Sequence, residues 1–76
     1  MAKSIHESTV LQAIDWAVDD HFGDGNTYRG FTVGSDMSDS GVLTLKLWEN
    51  ERFMASGCDV SLDTDHEFVV KVVRRK

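Results

Sequence analysis

Proline is absent from the 76-residue chain, and cysteine occurs once, as Cys58. A single cysteine cannot close an internal disulfide and no zinc-ligand spacing surrounds it, so the usual staples of small secreted domains are missing. A reducing, cytoplasmic setting is therefore expected. Nowhere does an apolar run reach the roughly 18 residues of a membrane span. Lys3 is followed by no apolar segment of signal-peptide length before the acidic residues begin, so neither secretion nor membrane insertion is expected. The length leaves room for one small domain over residues 1–76 and excludes a two-domain enzyme, a dinucleotide-binding unit with its partner domain, or a repeat array.

Basic residues are scarce: eight Lys and Arg face thirteen Asp and Glu, for a net charge of −5. The imbalance is local. Residues 1–45 hold seven acids and two bases, whereas residues 46–76 hold six of each. Such a field repels nucleic acid and anionic lipid and attracts a basic surface. The one basic run, Arg74-Arg75-Lys76, offers too little counterion release for a nucleic-acid arm and reads as a solvated end.

What the chain does have is enough patterned apolar sequence for a thin core, with 41% apolar and 28% charged residues. Ser8 or Thr9 fits the N-cap of a helix running to about residue 22, which Gly23 and Gly25 would stop. Val10, Leu11, Ile14, Ala17, Val18 and His21 share one side of that helix, with Phe22 at its margin. Four segments have strand character, over about residues 27–34, 42–49, 52–62 and 66–74. Leu43, Leu45 and Leu47 alternate with Thr44 and Lys46, and Phe68, Val70 and Val72 alternate with Val69, Lys71 and Val73. The third segment changes phase between Phe53/Ala55 and Cys58/Val60/Leu62, so a bulge or break is expected at Ser56-Gly57, with Cys58 turned inward. Turns are expected at Asp36–Gly41, around Asn50 and at Asp63–Asp65. Short connections favour an α+β domain in which one N-terminal helix packs on a four-stranded antiparallel meander, in the order αββββ.

Trp16 stands out because it lies nearly opposite the apolar stripe, among Gln12, Asp15, Asp19 and Asp20, with Asp24 just beyond. A rigid aromatic ringed by carboxylates suits an anchor for a basic protein surface. Asp19, Asp20 and Asp24 also crowd the helix C-terminus, where the macrodipole disfavours negative charge, so they point to a use outside folding. A second apolar set, Val42, Trp48, Val69 and Val73, falls on the sheet face away from the helix and offers a surface for self-association.

Other chemistry is weakly supported. Asp36-Met37-Ser38-Asp39-Ser40-Gly41 has the alternating oxygens that begin a calcium loop, but Leu47 stands where the closing glutamate belongs, so a solvated turn is expected. His6, His21 and His66 make no ligand pair, and no nucleophile–base pair or phosphate-binding glycine loop is present. Tyr28, Phe31 and Trp48 could stack bases only if they shared an open face with a basic groove, which the charges do not provide. The sequence thus leads to a non-enzymatic, acidic protein-binding module without metal or cofactor. It would act as an inhibitor or nucleic-acid charge mimic of phage or mobile-element type, with no direct nucleic-acid or membrane partner. The alternative is a structural or assembly subunit that forms a homodimer through its outer sheet face.

Overall fold

The computed structural model describes residues 5–75, so Lys3 and Lys76 lie outside the described residues. The elements run α1 (Glu7–Gly23), β1 (Phe31–Met37), β2 (Leu43–Glu49), α2 (Asn50–Ala55) and β3 (His66–Val70). The sheet is an antiparallel meander of three strands in the order β1-β2-β3. Its register places Phe31 opposite Glu49 and Met37 opposite Leu43, then Leu43 opposite Val70 and Leu47 opposite His66.

The four-stranded expectation is therefore corrected: the third segment is not a strand but a short helix followed by an irregular loop. Residues 50–56 contain no β-branched side chain, and Glu51, Arg52, Met54 and Ala55 are good helix formers. The phase change near Ser56-Gly57 marks the end of α2 rather than a bulge. Gly57 and Cys58 take φ of 80° and 61°, values that turn the chain out of the helix. Cys58 is exposed, contrary to its expected inward position.

The first strand begins later than its sequence suggested, because Arg29 (φ 51°) and Gly30 (φ 83°) form a tight turn. Tyr28 and Phe31 exchange backbone hydrogen bonds of 2.9 Å across it, the pattern of a type I′ turn. At the other end of the hairpin the Ser38 hydroxyl accepts a bond from the Val42 amide at 3.0 Å, and β1 runs on through Asp36 to Met37. Helix α1 starts at Glu7 with His6 at the N-cap, just before the expected Ser8 or Thr9, and the Asn26 side chain donates to the His21 carbonyl at its far end.

Alternation along each strand gives the sheet two different faces. Ser35, level with Leu45, bonds to Asp15, so the Leu43, Leu45 and Leu47 side is the one α1 covers. Leu11 of α1 and Leu43 are buried there. The helix is rolled relative to its apolar stripe: Ile14, Asp15, Val18 and Phe22 are half-buried, while Ala17 and His21 are exposed. Turning Phe22 toward the sheet in place of Ala17 removes more apolar area from water.

The Trp48 end of the opposite face is covered by α2 and the loop after it. Trp48 is only 3% exposed, its ring centroid 5.1 Å from that of Phe53, and its indole N–H donates to the Leu62 carbonyl at 2.7 Å. Gly34 makes room for it: a β-carbon there would come within 3.0 Å of the indole. The Thr32 hydroxyl donates to the Asn50 side-chain oxygen at 2.9 Å, which ties α2 to β1 as well.

Asp65 fastens the returning chain to the start of α2. Its carboxylate accepts a 2.5 Å bond from the Glu49 amide and pairs with Arg52 at 3.2 Å. Arg52 also donates to the Asp63 carbonyl. The hydrogen bond from the Glu49 amide holds the Asp65 carboxyl below the usual carboxylate range; desolvation opposes it, and the Arg52 guanidinium adds a further lowering.

Two outcomes are expected. Gly34→Val, which by strand propensity alone should help, lowers stability by about 2 kcal/mol in urea unfolding because its β-carbon would press on the Trp48 ring and displace it from Phe53 and the Leu62 carbonyl. Because Asp65 titrates lower in the folded chain, its contribution is present above the unfolded carboxylate value of about 4 and is lost as pH falls through the folded value. The stability gap between wild type and Asp65→Asn is accordingly largest near neutral pH and narrows in acid, as thermal melts at several pH values will show.

Candidate functional site

Trp16 lies mid-way along α1 on the side turned from the sheet and is 65% exposed. Exposed Asp19 and Asp20 share a shallow, open depression with it and with Ala17. Gln12, one turn earlier, is exposed, as is Asp24 at the helix C-cap. Trp16, Asp19 and Asp20 thus stand together on the exposed side of α1.

Asp15 does not belong with them. The Ser35 hydroxyl bonds to the Asp15 carboxylate at 2.5 Å and lies 3.3 Å from the Asp15 carbonyl, which fastens the helix to β1. The same roll that buries Phe22 carries Asp15 inward, half-buried between helix and strand. Without that interaction an acid here would be a poor contact residue; with it, Asp15 is a structural anchor.

The second candidate surface is divided. Val42, Val69 and Val73 are exposed, Val73 to 89%, but Trp48 is removed from them by Phe53 and Leu62. The helical fold of residues 50–55 accounts for this, since a strand in their place would have left the indole open. Nor do Tyr28, Phe31 and Trp48 meet on one face. Phe31 belongs to the α1 side and Trp48 to the other, while exposed Tyr28 sits with the Arg29 guanidinium 5.5 Å from its ring centroid.

Two features were not foreseen from sequence. Phe31, His66 and Phe68 form an aromatic row on the α1 side, with ring centroids 5.7 Å and 6.4 Å apart, beyond the edge of the helix. A groove of about 620 Å³ also runs past the edge of β1, between the C-terminal end of α1 and α2. Phe22, Gly34, Trp48, Phe53 and Met54 supply its apolar wall, and Asp19 and Lys46 bring charge to it. The signal for the groove was the helix-forming run Glu51–Ala55, which places Met54 and Phe53 beside Trp48.

Among the described residues no group of three or more His, Cys, Asp or Glu is placed to hold a metal ion, and no helix is long and apolar enough to cross a membrane. Comparison with protein-family models, curated proteins and solved structures finds no match to this chain.

The different roles of the helix carboxylates are separable by mutation. Ser35→Ala lowers stability by about 1 kcal/mol through loss of the hydrogen bond to Asp15. Asp20→Asn, by relieving the charge at the negative end of the helix, raises stability by about 0.3 kcal/mol or more. Urea midpoints of the two variants against wild type check both signs.

Proposed function

We propose that this chain is a small acidic protein-binding module whose α1 face occupies a basic site on a partner protein, in the manner of an inhibitor or a nucleic-acid charge mimic. The observation that carries the reading is the 65% exposure of Trp16 beside the exposed carboxylates of Asp19 and Asp20. An exposed indole on a stable helix loses little conformational entropy on binding and buries a large area, so it suits a hot spot. The flanking acids, with Gln12 and Asp24, would steer and orient a basic partner rather than supply most of the affinity. The action is steric and electrostatic occupation, with no bond made or broken. The lone free Cys58 fits a cytoplasmic setting.

The test is affinity capture with wild type and Trp16→Ala in parallel, followed by binding measurements on the purified partner. Wild type retains a basic protein near physiological ionic strength and releases it at high salt. Trp16→Ala keeps the wild-type circular dichroism and binds that partner more weakly by about 2 kcal/mol, roughly 30-fold. Equal affinity of the two baits, or no basic protein retained by wild type, overturns the reading.

A further inference from the structure

Strand β3 forms one edge of the sheet, and among the described residues no strand pairs with its outer side. An open edge presents amides and carbonyls ready to pair with another chain, and folded proteins commonly protect it with proline, a bulge or a covering loop. Here the edge is instead rich in exposed apolar surface: Phe68 is 57% exposed, Val69 60%, and Val73 follows in the segment beyond.

The order of charges along this edge identifies the occupant. Glu67 precedes Val69 within β3, and Lys71 follows Val69 at the same spacing, one residue past the end of the strand. When a strand pairs antiparallel with a copy of itself, residues equally far before and after the two-fold axis stand opposite one another. With the axis at Val69, Glu67 stands opposite Lys71 of the partner subunit, and symmetry repeats the pair. On the other face Phe68 meets Val70 of the partner subunit, so each apolar side chain at the centre faces another. Moving the axis to Phe68 or Val70 sets Glu67 against a valine. The Phe68 axis would also ask Asp65 to pair with Lys71, although Asp65 is already held by the Glu49 amide and Arg52. One register therefore satisfies charge and apolar packing together.

We propose that the protein forms a two-fold symmetric dimer in which β3 pairs antiparallel with β3 of a second copy about Val69, joining two three-stranded sheets into one. Cross-strand pairs of opposite charge stabilise such a ladder, and like charges directly opposite destabilise it. This assembly goes beyond the helix-face reading and does not depend on it. Helix α1 packs chiefly along β1, at the other edge of the sheet, so Trp16 stays free in the dimer.

Charge exchange tests both the dimer and its register. Analytical ultracentrifugation of wild type across micromolar to millimolar concentration shows a reversible monomer–dimer equilibrium. Lys71→Glu and Glu67→Lys each weaken the dimer roughly tenfold or more while the far-ultraviolet circular dichroism of the chain is kept. An equimolar mixture of the two variants restores association as a heterodimer, because each copy then presents the charge the other lacks. Glu67 is also level with Lys46 within the chain, so Lys71→Glu is the cleaner single change, and Val69→Lys on the axis is a further variant expected to dissociate the dimer. A wild type that stays monomeric throughout, a dimer indifferent to Lys71→Glu and Val69→Lys, or two folded variants that fail to recover on mixing each overturn the proposal.

Discussion

The placement of the Trp48 indole over Gly34 sets the geometry of the face opposite α1. Gly34 leaves a gap in β1 that only a strand lacking a side chain can offer, and the indole reaches across from β2 to fill it. Phe53 then lies against the ring, and the Leu62 carbonyl accepts its N–H. These contacts hold α2 and the long return loop on the sheet. Asp65 completes the attachment from the far end of the loop, where its carboxylate meets the Glu49 amide and Arg52. The register of β3 beside β2 follows from where that return loop ends.

The α1 side is organised differently, by apolar burial and one polar tie. Leu11 and Leu43 form its buried centre, and the Ser35–Asp15 hydrogen bond fixes how the helix is rolled about its axis. That roll decides which residues remain available. It takes Asp15 and Phe22 toward the sheet and leaves Trp16, Asp19 and Asp20 outside. Packing on one side of α1 thus defines the candidate binding surface on the other.

The helix, β2 and the start of β3 were legible because each depends on local pattern: a stripe of apolar residues, alternating leucines, or alternating Phe and Val; β1 lies later than the expected 27–34, and β3 stops at Val70 where a strand to about residue 74 was expected. The segment from Asn50 to Leu62 was misread for a physical reason. Its apolar residues Phe53, Ala55, Cys58, Val60 and Leu62 fit two strand phases joined by an insertion, and periodicity alone cannot separate that from one turn of helix followed by a loop. Helix propensity over Glu51–Ala55 was the deciding signal. The exposure of Trp16 followed from the helical wheel, but the inward position of Asp15 did not, because it depends on a serine about twenty residues away on another element. Trp48 was correctly assigned to the face away from α1, and only the mistaken strand made that face seem open.

The meander order of the sheet has a kinetic consequence. Each strand pairs with its neighbour in the chain, and α1 packs mainly on the strand that directly follows it. Low sequence separation between partners reduces the chain entropy lost before contacts begin to compensate, which favours fast folding. The chain also contains no proline, so no prolyl isomerisation can delay a fraction of the molecules. With each strand beside its neighbour in the chain, the hairpin can form before the return loop delivers β3, which then stays at the edge of the finished sheet.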